Sequence, residues 1–374
     1  MPGPIVGTGQ SADMVLGQTS FTGTAANAGG ASGATLSLPN GIGSDGTRLW
    51  VADSGNGRVL QWNRLPTTSG QSASIALGRS SLTTVATGGE PATATNVNST
   101  CCGTDVASDG VRVVVSDTNR NRGMVWGAIP SSSGTAASIA IGQPSLTSAS
   151  SPPCSNASTG VCRPRGIWTD GSHLIIADWA YHRVLIWNSF PTTSGDAADV
   201  VLGQANFGLN VDADPPSAST MSLPEDVFYD GSRLYVSDSG NNRVLVWNGI
   251  PTTNGKAADL VLGQSDFASS GMNAGLAGVN AGGFHTPVGL AAAGDALFVA
   301  DQANNRVLVF TPIPSANGAS ATYVLGKTSL TDGAESTASA TTLNDPRGLL
   351  VVGNHLFVVD KGWNRVVRYQ LNLP

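Results

Sequence analysis

The chain repeats one statement six times, and that repetition limits its possible folds more than any other feature. Residues 230–255 read DGSRLYVSDSGNNRVLVWNGIPTTNG, and their centre recurs throughout the sequence. The other copies are LWVADSGNGRVLQWN at 49–63, VVVSDTNRNRGMVW at 113–126, LIIADWAYHRVLIWN at 174–188, LFVADQANNRVLVF at 297–310 and LFVVDKGWNRVVRY at 356–369. Their shared acid falls at Asp53, Asp117, Asp178, Asp238, Asp301 and Asp360, with spacings of 64, 61, 60, 63 and 59 residues. A near-constant period of this length marks a solenoid or a propeller, because each unit buries its apolar face against the next.

Within a unit there is no helical period. A Pro-led opening such as LPNGIGSDG leads into an alternating apolar run, a polar Asp/Asn/Gly turn and a Val/Leu/Trp run. A PTTSG-type turn then leads into a last apolar stretch that ends in Leu-Gly-Gln. Short alternating runs between Gly, Asn and Pro turns predict four antiparallel strands, which make one propeller blade. Residues 12–21, ADMVLGQTSF, copy the last strand of a blade (ADVVLGQANF, 198–207) although no blade precedes them. The final copy stops at Pro374, before such a strand. The amino terminus is therefore expected to complete the carboxyl-terminal blade, which leaves no open sheet edge.

The segments Asp238-Ser239-Gly240-Asn241-Asn242-Arg243-Val244 and the LPxGI-like openings resemble those of NHL-repeat six-bladed β-propellers. The resemblance spans nearly all of residues 11–374 and implies an all-β fold. It predicts a single domain over 1–374, with residues 11–21 as the outer strand of the last blade. The blades are expected near 37–82, 99–146, 161–207, 221–267, 284–330 and 343–374. Such propellers host unrelated functions, so activity has to be argued from particular residues.

Charge narrows the partners. A net charge of −6 with only three lysines leaves no basic stripe, which disfavours nucleic acid, because phosphate contacts need clustered cations. No apolar run approaches the 18 residues of a membrane span. An exported chain would carry a leader, and the MPGP start is expected to follow its removal. Cys101, Cys102, Cys154 and Cys162 lie in or near the loops opening blades 2 and 3, without CxxC spacing. That pattern points to disulfides and to a secreted, periplasmic or cell-surface protein rather than to zinc. The arrangement we favour joins Cys154 to Cys162 and Cys101 to Cys102; cross-pairing between the loops and four free thiols stay open.

Residues present in every blade do what every blade needs. The six Asp each precede an Arg by five residues (Arg58, Arg122, Arg183, Arg243, Arg306 and Arg365), so each pair is expected to staple its turn. Trp62, Trp126, Trp187 and Trp247, replaced later by Phe310 and Tyr369, are expected to pack between blades. Histidine is scarce. A metallo-lyase resembling the peptide-amidating propellers would need several imidazoles on the channel, and only His285 falls in an opening loop.

Function is sought where the repeat is broken, on the face that carries the opening loops and the Asp turns. The two residues after each opening proline should rim the central channel. They are Asn40-Gly41, Thr104-Asp105, Arg165-Gly166, Glu225-Asp226, Val288-Gly289 and Arg347-Gly348. Asp105 and Asp226 replace the usual glycine, and with Glu225 and Asn40 they offer hard oxygen ligands to one Ca²⁺ ion. Arg165 and Arg347 oppose a metal there, and the competing expectation is that these charges pair across the mouth. Trp179 and Tyr181 in blade 3 and Trp363 in blade 6 replace polar turn residues, which suggests a ligand that covers them; the alternative is cover by neighbouring loops.

The leading expectation is a binding module for a protein, peptide or glycan. Trp179, Tyr181 and Trp363 would be its anchors, and Arg165 and Arg347 its polar centre. The competing class resembles the Ca²⁺-dependent lactonases and esterases built on propellers, with Asn40, Asp105, Glu225 and Asp226 around the ion. A third reading is a structural cell-surface assembly.

Overall fold

Each repeat folds into a four-stranded antiparallel sheet, and six such sheets surround a central channel as the blades of a β-propeller. The computed structural model describes residues 5–98, 103–148, 154, 156–334 and 336–373. The innermost strands of blades 1 to 6 are Pro39–Ser44, Val106–Ser108, Pro164–Thr169, Pro224–Tyr229, Pro287–Ala293 and Pro346–Val352. Blade 6 is completed from the other end of the chain: Met14–Leu16 pairs antiparallel with Arg365–Gln370, Val15 opposite Val367. The ring closes as the terminal copies of the repeat predict.

Second and third strands such as Leu174–Asp178 and Arg183–Trp187 are buried at every residue, because both faces of a blade are covered. That is why they read as continuous apolar runs. The interior is six apolar layers, each between neighbouring blades. In one of them Ile175, Ile186 and Val200 of blade 3 meet Val227, Val236 and Trp247 of blade 4. The repeated tryptophans sit in these layers and also tie down a turn. The indole N–H of Trp62, Trp126, Trp187 and Trp247 donates to the carbonyl nine residues on, at 2.9, 2.9, 3.1 and 2.9 Å. Tyr369 takes the same packing position in blade 6, but its buried hydroxyl has no partner among the described residues and ties down no turn.

The Asp/Arg pairs staple the turns as their spacing predicts. Asp238 accepts from Arg243 Nε and from the Ser222 N–H, both at 2.6 Å, and Arg243 donates onward to the carbonyls of Phe267, Ser217 and Thr220. All six blades repeat the acid's bond to a backbone N–H of the opening loop, sixteen residues earlier in five blades and nineteen in blade 2, so each opening loop hangs on one carboxylate. Burial pushes Asp53, Asp178, Asp238, Asp301 and Asp360 up, to about 6 at Asp178 and about 7 at Asp360, against the pull of the paired arginine.

Adjacent blades are also joined by the side chain that ends the Asp turn in blades 2 to 6, whereas the turn of blade 1 ends in Gly57. Asn121, Asn242, Asn305 and Asn364 adopt left-handed backbone, and their Oδ1 atoms accept the N–H of Arg163, Thr286, Asp345 and Leu38 in the next blade at 2.7–2.9 Å. Between blades 3 and 4 the acceptor is His182 Nδ1, 3.2 Å from the Leu223 N–H. Asparagine tolerates left-handed backbone and supplies the same acceptor. We therefore expect His182→Asn to leave the melting temperature nearly unchanged, while His182→Ala loses about 1 kcal/mol by stranding the Leu223 N–H. A melt in which both variants behave alike would show that this bond contributes nothing.

Candidate functional site

The rim residues are set by a break in pairing. After the opening proline the register of the inner strand shifts, between Pro164 and Ile167 in blade 3 and between Pro224 and Val227 in blade 4. The two intervening residues are thus freed from the ladder and turned toward the axis or the neighbouring blade, as at a bulge. Crowding there explains the glycines. A Cβ on Gly41 would lie 2.1 Å from Asp105 Oδ1, one on Gly166 would lie 2.5 Å from Asp226 Oδ1, and one on Gly289 would lie 2.1 Å from the Arg347 carbonyl oxygen.

These residues line an axial cavity of about 360 Å³ that includes Asn40, Asp105, Arg165, Glu225 and Asp226. Glu225 is bonded to Arg165 in a close ion pair, as the charge-pairing expectation had it. Asp105 Oδ2 accepts the Ile167 N–H of blade 3 at 2.9 Å, and Asp226 Oδ2 accepts the Leu290 N–H of blade 5 at 2.9 Å. Each aspartate therefore bolts its blade to the next. Both side chains remain partly accessible from the cavity although protein surrounds them. Burial pushes Asp105 up to about 7 against three backbone N–H groups. Asp226 is pushed well above the usual carboxylate range by burial, with the charges of Asp105 and Glu225 adding to the effect.

The expected Ca²⁺ ligands Asn40, Asp105, Glu225 and Asp226 thus share one cavity, with Glu225 held by a guanidinium and both aspartates held by backbone. Among the described residues no three His, Cys, Asp or Glu side chains group as metal ligands do. Arg347 is not part of the cavity wall; Asp345 holds its Nε at 2.8 Å.

The three aromatic departures separate. Trp179, the first residue after its staple acid, lies over the mouth: the Arg165 guanidinium stacks 4.2 Å from its ring centre, Arg163 lies at 5.9 Å, and the ring stays partly exposed. Tyr181 and Trp363 stand third after their acids and turn inward onto the staple arginines, Arg183 at 5.1 Å and Arg365 at 4.7 Å. Trp363 is only 6% exposed, so the neighbouring loops cover it and it offers no anchor to a partner. Tyr181 remains partly exposed and donates its hydroxyl to the Cys154 carbonyl.

Cys154 and Cys162 form a disulfide that closes the loop opening blade 3, which is one of the pairings the spacing allowed. Cys101 and Cys102 lie outside the described residues. The disulfide is compatible with an exported protein, and no described helix is long and apolar enough to cross a membrane. Beside it lies a second cleft of about 410 Å³, lined by Asn119, Asn210, Arg163, Tyr181 and the disulfide. No motif marks this cleft in the sequence, because its walls come from separate stretches of the chain near residues 119–121, 154–163, 180–181 and 210.

The topology and the axial site define a six-bladed β-propeller with a charged, paired rim. Among solved structures, the chain is similar to a streptogramin B lyase (14% identity, TM-score 0.47, 90% of this chain and 84% of that one). It is also similar to a virginiamycin B lyase from Staphylococcus aureus (15%, 0.45, 96% and 98%) and to a chain of a nidogen/laminin complex (17%, 0.41, 75% and 78%). No family model and no curated protein matches.

Proposed function

We propose that the chain is an extracytoplasmic, NHL-type propeller that binds a protein, peptide or glycan through the loop face around blade 3. The observation that supports this most is the unbroken run from Trp179 through Arg165 to Glu225, which joins a partly exposed indole to the mouth of the axial cavity. An exposed aromatic flanked by guanidinium groups is the composition of a binding hot spot, because it desolvates easily and offers directed donors. Two guanidinium groups steady the Trp179 ring and one disulfide closes the loop that opens the same blade, which limits the entropy lost on binding.

The test is a printed panel of glycans and peptides probed with the wild-type chain and with Trp179→Ala. We expect ligands held by the wild type to be lost or weakened at least tenfold in the variant, with the melting temperature within about 2 °C. Equal binding by the two proteins, or none by the wild type, would remove blade 3 as the recognition surface.

A further inference from the structure

The second cleft carries an inference that rests on the binding reading above and names its ligand. We propose that the cleft between Arg163, Tyr181 and Asn210 takes an acidic saccharide, with Arg163 holding the carboxylate of a uronic acid residue.

Arg163 differs from most arginines of the chain. The staple arginines, and Arg48, Arg79, Arg112, Arg120, Arg165, Arg347 and Arg368, all face a carboxylate. Arg163 has no carboxylate partner among the described residues, and it is exposed. Its backbone is nonetheless fixed. The left-handed conformation (φ 53°) is held by the N–H donated to Asn121 at 2.9 Å, and the neighbouring Cys162 is tied by its disulfide and by the Asp178 carboxylate. A cation on a rigid base, at the edge of a cleft, in a chain of net charge −6, is placed for a specific anion rather than for general attraction.

The walls favour a saccharide over a peptide. Asn119 and Asn210 are exposed amides that can both donate and accept, as sugar hydroxyls do. The face consists of loops and turns, so it presents no free strand edge for an extended peptide to join. Tyr181, braced through its hydroxyl on the Cys154 carbonyl, and Trp179, next to Arg163, supply the ring surfaces on which a sugar can lie.

The experiment titrates the intact chain with uronic acid trisaccharides (galacturonate, glucuronate and mannuronate) and with their methyl esters, by calorimetry. A Glu-rich peptide of equal charge and neutral trisaccharides serve as further arms. We expect at least one acidic trisaccharide to bind tenfold or more tightly than its ester and to weaken as NaCl is raised. Arg163→Gln should lose that tenfold preference, and Arg163→Lys should retain part of it, with melting temperatures unchanged in both. Failure of every acidic trisaccharide to exceed its ester would overturn the proposal. Binding of the acidic peptide alone would overturn the saccharide assignment and leave the binding reading standing. Neutral ligands that depend on Trp179 but not on Arg163 would do the same.

Discussion

Asp238→Ala will lower the unfolding free energy by about 3–5 kcal/mol, the cost of breaking a buried ion pair by removing one partner. Asp238 is fully buried, and three groups depend on it: the Ser222 N–H, the Asn241 amide and the Arg243 guanidinium. Without it the Arg243 charge stays inside the blade with only carbonyls around it, and the opening loop of blade 4 loses its anchor. Asp238→Asn keeps the shape and one acceptor, so it should lose less. Urea denaturation of the three proteins measures the difference directly. A loss under about 1 kcal/mol for the alanine variant would mean that the loops, not the staple, hold the turn. Because the same geometry recurs at the other five acids, the equivalent substitution elsewhere should cost a similar amount.

The staple was legible because it repeats: one residue type at one position in every copy favours a structural reading over a ring of six ion sites. The blade count, the strand order and the closure by residues 12–21 were legible for the same reason. What the repeat conceals is direction. Trp179, Tyr181 and Trp363 all break the polar turn, but the sequence does not say that Trp179 stacks on Arg165 at the rim while Tyr181 and Trp363, at the third position after the acid, face the staple. A signal existed. Asn56, Asn241 and Asn304 occupy that third position and bond back to Asp53, Asp238 and Asp301, so a side chain there points inward. At the first position Thr118 and Ser239 reach the opening proline carbonyl of the next blade. The rim showed the same limit. Asp105 and Asp226 stood out as departures from glycine, yet only the close approach at Gly41 and Gly166 reveals that they fill the space those glycines leave. Arg347 was legible in hindsight, since Asp345 stands two residues away.

The second large effect is on pH. Asp105, pushed up to about 7 by burial, binds its proton more tightly folded than unfolded. Its contribution to stability is therefore complete at low pH and is lost as pH rises through the folded value. The unfolding free energy should fall between pH 5 and pH 8, by roughly 2 kcal/mol once water in the cavity is allowed for. Asp226 is shifted in the same direction and adds to the fall. Asp178 and Asp360 do so as well, so the slope of the wild type alone does not identify the rim. The comparison that does is Asp105→Asn and Asp226→Asn, each unfolded in urea at pH 5, 6, 7 and 8. Both variants keep one of the two acceptor oxygens and start lower, but their profiles should be flatter than that of the wild type. A wild-type profile that rises toward pH 8, or variants with an unchanged slope, would remove the rim pair as the source. A Ca²⁺ ion on these oxygens would act the opposite way, because a metal holds carboxylates ionised and is gained as protons leave. The same series in EDTA and in Ca²⁺ thus decides whether the two aspartates serve the ring as protonated bolts between blades or serve an ion.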